Sequence, residues 1–285
     1  MATIFPDERG WYSVKRDLSA QVIEPLRTLG RIEKLSLTNI DLVTVRHARR
    51  LASLQSIEQL WLWCDVTRRA MRHIVQLPGL CVLDVLNIRG PGELGHFNKA
   101  RNLRVFRANH YLTEQDLLHI AKCESIQELG AQNCTLTHKS LLALLSLPQL
   151  QSLDIEATGF DDSMAKRLCR SETISSLDIG ATKISGIGLS HLVAMKALRS
   201  LDLWATRLTE DDLKLLRQLP NLEYLSVGNF EGCASLDPQR VVSLFLELPS
   251  LKRVWLDGIP LTPEQKLALE SKLDSVRVTS FSDAA

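Results

Sequence analysis

The feature that most constrains this chain is a repeat with a period near 24 residues. Leu150-Gln-Ser-Leu153-Asp-Ile155 returns as Ile174-Ser-Ser-Leu177-Asp-Ile179 and again as Leu198-Arg-Ser-Leu201-Asp-Leu203, each step 24 residues on. The same frame starts units at Ile32, Ile57, Leu80, Leu103, Ile126, Leu150, Ile174, Leu198, Leu222 and Leu251, with offsets of 25, 23, 23, 23, 24, 24, 24, 24 and 29. A partial strand follows at Val276. A register held this long defines an architecture, because one strand-plus-helix unit cannot bury its apolar side without stacked neighbours.

Each unit has two parts. The L-x-x-L-x-L stretch places apolar residues at alternate positions, the period of a strand with one buried face. The remainder carries helix signals. Thr113-Glu-Gln-Asp116 and Thr209-Glu-Asp-Asp212 are capping-box patterns with Asp in place of Glu or Gln, and Asp237-Pro238 and Thr262-Pro263 set a capping side chain before a first-turn proline. Leu213, Leu216 and Leu219 then share one face before Pro220 ends the segment. Strands pair about 4.8 Å apart whereas packed helices need roughly 8–10 Å, so stacking both layers bends the coil, with strands inside and helices outside.

These motifs resemble the leucine-rich-repeat family, in a helix-bearing variant with repeats near 24 residues. The Ala157-Thr158, Ala181-Thr182 and Ala205-Thr206 turns look like those of bacterial members. The family places Asn or Cys at the ninth repeat position. Here Cys134 fits, Thr158, Thr182 and Thr206 stand in for it, and Ile40, Ile88, Tyr111, Phe230 and Ile259 depart from it. The resemblance implies an α/β leucine-rich-repeat solenoid, a horseshoe with a parallel concave sheet and convex helices, whose business is binding protein. The expected organisation is an N-terminal cap over residues 1–31, helical around Val14 to Ile23, ten repeats over 32–275, and a strand or tail over 276–285. Five extra residues in the unit from Leu222 are expected around Glu231 to Leu236, and Asn87 to Ala100 should be an irregular convex segment.

On the concave face, the third, fifth and seventh positions of each strand point away from the core. They align Asp154, Asp178 and Asp202 in one column, with Asp84 at the same position further up the chain, and they display Trp61, Trp63, Trp204, Tyr224 and Trp255. Like charges about 5 Å apart cost roughly 0.8 kcal/mol in water and about 3 kcal/mol at an effective dielectric of 20, a cost that a basic partner would recover. The plainer reading of the aspartates is repeat duplication on a solvated face. Aromatics on a face with no layer above it are favoured interface anchors. Those eight residues, Asp84 aside, are the expected partner-binding set.

Charge is unevenly spread. Residues 31–110 hold 13 Lys and Arg against 6 Asp and Glu, and residues 151–285 hold 15 against 19. The basic excess at Arg46, Arg49, Arg50, Arg68, Arg69 and Arg72 falls on helical segments and reads as a solvated helix face. The net charge of +1 gives no whole-chain attraction to nucleic acid or membrane. No apolar run reaches a membrane span, and Met1 to Gly10 is too polar for a signal peptide. The six cysteines form no CxxC pair, which points to reduced thiols in a cytoplasmic protein. Phosphate loops, nucleophile elbows and HExxH helices are absent, so no enzyme, cofactor or metal is expected. Cys134 and His138 have metal-like spacing but no second pair follows. The expected function is protein binding on the concave face, as an inhibitor or immunity-type protein. The alternatives are a substrate-recognition adaptor and a secreted bacterial effector.

Overall fold

In a computed structural model, residues 5–91, 93–228 and 236–279 are described. They divide into two compact units, residues 1–135 with 139–150, and residues 136–138 with 151–285. The insertion expected at Glu231 to Leu236 falls outside the described residues up to position 235. Leu236 itself is buried.

The first unit holds β1 (Trp11–Lys15), β2 (Arg31–Val43), β3 (Ser56–Thr67), β4 (Val82–Arg89), β5 (Val105–Ala108) and β6 (Glu128–Gly130). Each pairs in parallel with the next in chain order. Helices α1 (Ala20–Arg27), α2 (Val45–Leu51), α3 (Arg68–Ile74), α4 (Glu114–Ile120) and α5 (His138–Leu145) lie between or after them. In the second unit, β7 (Ser152–Asp154), β8 (Ser176–Asp178), β9 (Ser200–Asp202), β10 (Tyr224–Gly228), β11 (Arg253–Asp257) and β12 (Ser275–Thr279) make the same parallel ladder. Its helices are α6 (Asp162–Leu168), α7 (Gly186–Leu192), α8 (Glu210–Leu213), α9 (Pro238–Glu247) and α10 (Pro263–Glu270). The architecture is that of an α/β leucine-rich-repeat solenoid.

Two expectations about the ends change. The segment expected to be helical from Val14 is first a strand, β1, and only then a helix from Ala20. Trp11, Tyr12 and Val14 are strand formers, and pairing with β2 satisfies the ladder while burying Val14. At the other end, Val276 pairs with Val254, so Leu273 occupies the first position of that unit. Of the segment expected to be irregular, Asn87 to Arg89 complete β4, and the described remainder includes one 3-10 turn, Phe97–Lys99, with Leu94 and Phe97 buried.

Turn chemistry explains the difference in strand length. The eighth repeat position is left-handed at Asn39, Asn133, Ala157, Ala181, Ala205 and Gly258. After the alanines, the buried Thr158, Thr182 and Thr206 hydroxyls donate to the carbonyls of Ile155, Ile179 and Leu203 at 2.6–2.7 Å. Those bonds close the strand at once, and β7, β8 and β9 are three residues long. Without that threonine the strands run on past a register shift, both in β2, left-handed at Asn39 but followed by Ile40, and in β3 and β4, where Cys64 and Asn87 are not left-handed.

Caps form where the spacing placed them. Thr113 and Asp116, Thr209 and Asp212, and Thr262 and Gln265 make reciprocal capping boxes, and Asp237 accepts from the Arg240 amide. The arginines read as a solvated helix face split into two groups. Arg46, Arg49 and Arg69 are exposed, but Arg50 donates to the Leu18 carbonyl and Arg72 to the Glu93 carbonyl. Arg68 is buried, ion-paired with Asp116 and donating to the Tyr111 carbonyl at 3.0 Å. Short turns between repeats leave carbonyls within reach of long basic side chains, and that pulls the guanidinium groups inward.

Removing one partner of a buried ion pair strands the other charge, at a cost of about 3–5 kcal/mol, whereas replacing both by apolar groups is close to neutral. Asp116→Ala should therefore lower unfolding free energy in urea by that amount, and Arg68→Met with Asp116→Leu should restore most of it. A single-variant loss under about 1 kcal/mol would mean the pair is solvated.

Candidate interaction surface

The second unit's open sheet face can be read column by column. Its fifth-position column runs Asp154, Asp178, Asp202, Ser226, Trp255, Arg277, and its third-position column runs Ser152, Ser176, Ser200, Tyr224, Arg253, Ser275. Leu153, Leu177, Leu201, Leu225 and Val254 alternate with them and are at most 2% exposed, which fixes which side chains face out.

The three aspartates each have a local structural task. Asp154 accepts from the Glu156 amide at 3.1 Å, Asp178 from Gly180 at 3.0 Å and Asp202 from Trp204 at 2.8 Å. These are Asx turns that start the chain's exit from the strand. The column therefore serves the repeat as well as the surface. Its electrostatics are nevertheless unfavourable. Burial, then Asp202 and Asp154, push the Asp178 carboxyl up to about 8, against a pull from the Gly180 amide. Burial also raises Asp202, and burial with Asp154 and Asp202 raises Glu156. Glu156 lies beside Gly180, where a Cβ would be in ordinary contact with Glu156 Cγ at 3.5 Å. Carboxylate oxygens of Asp154, Glu156 and Asp178 lie within 4.8 Å of one another, a donor set suited to a hard cation, an ammonium or a guanidinium.

The aromatics expected as free anchors are half-buried and tied by their polar edges. Trp204 Nε1 donates to Asp257 Oδ2 at 2.8 Å, Trp255 Nε1 donates to the Thr279 hydroxyl at 3.0 Å, and Thr279 donates to the other Asp257 oxygen. To reach Asp257, the Trp204 indole crosses β10 over Gly228, where a Cβ would meet Trp204 Cδ1 at 2.6 Å. Arg277 stacks 4.4 Å above the Trp255 ring and Arg253 lies 5.7 Å from the Tyr224 centroid. The two indoles are thus held by their N–H edges, and Arg277 covers a face of Trp255.

Trp61 and Trp63 belong to the other unit. Trp61 packs on Trp11 at 4.1 Å and meets Trp63 edge-on at 6.2 Å; Trp63 is 52% exposed. Asp84, at the column position that held aspartates below, is compensated by Arg107, which also binds Glu128 at 2.6 Å. The expected residues therefore form two patches. Sequence reading missed Trp11, Glu156, Arg253, Asp257, Arg277 and Thr279. Arg253 and Trp11 stand at third positions, Arg277 at a fifth, and Glu156, Asp257 and Thr279 at sevenths, so the repeat frame could have found them.

Among the described residues, Cys64, Cys81, Cys123, Cys134 and Cys169 form no disulfide, and burial pushes Cys64 up to about 12. No helix among the described residues is long and apolar enough to cross a membrane.

No protein-family model matches the chain. No curated protein matches it either. Solved structures do resemble it. An internalin, InlF of Listeria monocytogenes, is 18% identical over 94% of this chain and 86% of that one, with a TM-score of 0.52. TLR13 in its complex with ssRNA13 is 18% identical over 93% of this chain and 43% of that one, with a TM-score of 0.53. Both likenesses show the leucine-rich-repeat fold.

A carboxyl whose folded pKa is raised holds its proton in the native state across pH values where the unfolded chain has lost it. Its contribution to stability is full below the unfolded value near 3.8 and is lost as pH rises through the folded value, about 8 for Asp178. Asp178→Asn removes that loss and keeps an oxygen for the Gly180 amide. Its melting temperature should exceed the parent's by a margin that widens from pH 5 to pH 8.5. A margin that is flat across this range would show that Asp178 is ordinarily acidic.

Proposed function

We propose that this chain is a non-enzymatic protein-binding scaffold, and that the open face of residues 151–279 receives a basic segment of a protein partner. The observation that carries the reading is the carboxylate cluster around Asp178, held beside aromatic rings whose polar edges are already bonded within the protein. A cationic group entering the cluster relieves repulsion that the free protein must bear, so binding gains what folding concedes. Rings fixed in place lose little freedom on contact, which suits them as anchors. The same aspartates oppose a phosphate backbone, so a nucleic-acid partner is disfavoured on this face. In its finer form the proposal is an inhibitor or immunity-type protein of the bacterial cytoplasm that occludes its partner's surface.

The test begins with a photo-crosslinking amino acid at Ser200 on the open face, and at Lys214 on the exposed 3-10 turn as a control, in the native host. Ser200 should capture one discrete protein that Lys214 does not. With that protein purified, Trp204→Ala should raise the dissociation rate about 30-fold, the equivalent of about 2 kcal/mol for a central anchor. Lys214→Ala should leave it unchanged. Asp154, Glu156 and Asp202 surround Asp178, and a bound cation lowers its pKa, so affinity should also rise between pH 6.5 and 8.5. Capture from Lys214 alone, with Trp204→Ala binding as the parent does, would place the interface elsewhere and end this reading.

A further inference from the structure

Resting on that reading, we infer that the open face of residues 151–279 selects an extended peptide segment of fixed charge order, basic at the Asp178 end and acidic at the Arg277 end, with apolar residues between. The fifth-position column changes sign along its length. It passes from Asp154, Asp178 and Asp202 through Ser226 and Trp255 to Arg277, and Arg253 stands beside Trp255 in the neighbouring column.

The two arginines differ from other basic side chains nearby. Arg199 and Lys252 both pair with Glu223, whereas Arg253 and Arg277 are exposed and join no salt bridge among the described residues. Each is instead oriented by a ring, Tyr224 for Arg253 and Trp255 for Arg277. A guanidinium stacked by its face keeps its N–H edge for a carboxylate, and the planar fork accepts one in bidentate fashion. Asp257 adds a negative charge at this end, but one oxygen is engaged by Trp204 and the other by Thr279.

Between the ends, the surface asks for apolar contact. Ser226 is buried, and the indole N–H groups of Trp204 and Trp255 are both consumed within the protein. What remains is the half-buried carbon surface of the two indoles, outside the face of Trp255 that Arg277 covers. A uniformly basic segment would be repelled by Arg253 and Arg277, and a polyanion by the aspartates.

Geometry sets the spacing. From β8 to β12 is four strand steps of about 4.8 Å, near 19 Å, and from β9 three steps, near 14 Å. An extended peptide advances about 3.3 Å per residue. The basic and acidic groups of the occupant should therefore lie about four to six residues apart.

The experiment is selection from a random phage-displayed dodecapeptide library on the immobilised full-length protein, followed by fluorescence anisotropy with synthetic copies of the enriched peptides. The expected peptides carry Lys or Arg and Asp or Glu at that spacing with apolar residues between. Arg277 is exposed on the last strand of the ladder, so Arg277→Glu should leave the fold intact and weaken binding at least tenfold. Exchanging the peptide's acid for Lys should restore binding to Arg277→Glu. Uniformly basic peptides that lose affinity with Trp204→Ala or Asp178→Asn but ignore Arg277→Glu would overturn the charge order while leaving the binding face in place. Peptides indifferent to all three substitutions, or no enrichment at all, would overturn both.

Discussion

Everything on the surface of this protein depends on the register of its parallel ladders. Leu177 lies beside Leu153 and Leu201, and Ile179, Leu203, Val227 and Leu256 follow within 2% of complete burial. Each such side chain contributes about 1.5–3 kcal/mol when taken from water. A slip of one residue would turn that whole column outward and bring Asp154, Asp178 and Asp202 into the core. The leucine columns thus determine not only that the coil stacks but which chemistry it displays. A binding face written in third, fifth and seventh positions exists because the fourth and sixth cannot face water.

The turns hold a second constraint in tension with the first. Alanine at a left-handed position costs roughly 1–2 kcal/mol, and it occurs at Ala157, Ala181 and Ala205. The threonine that follows each one is buried and hydrogen-bonded to the strand end, and the aspartate three residues before bonds the outgoing amide. The aspartates are therefore needed by the backbone. The repeat brings one to each of three adjacent strands, where they repel one another. Hydrogen bonds from the amides pull the Asp178 and Asp202 carboxyls down, but burial outweighs this at both, joined at Asp178 by repulsion from Asp202 and Asp154.

What was legible in the sequence followed from things that repeat. Strand positions, the buried leucines, the outward columns and the threonine caps all recur at fixed offsets, and each is a local choice with a physical reason. What was not legible joins residues at irregular separations. Trp204 reaches Asp257 across 53 residues only because Gly228 lies between, and neither residue announces the other. Arg68 of α3 meets Asp116 of α4 with two strands of chain between them. Asp162 of α6 accepts from the Ser185 and Gly188 amides, so the start of α7, capped locally by Ser185, gains a second cap from one repeat away. Arg50 and Arg72 have the composition of a solvated face and the geometry of braces.

The two units handle charge on the same scaffold position differently. In the first, Asp84 has Arg107 on the neighbouring strand, and Arg107 also holds Glu128, so one cation is shared between two carboxylates. In the second, Asp178 has Asp154 on one side and Asp202 on the other, while Arg253 of the neighbouring column and Arg277 of the same column stand two and three strands beyond Asp202, against rings instead of carboxylates. Opposite charges are thereby kept apart on one face. The rings between them are fixed by Asp257 and Thr279, so a ligand need not order them. It is this separation of charge across a prepared apolar floor, more than the presence of tryptophans or aspartates as such, that distinguishes the face of residues 151–279 from an ordinary solvated sheet.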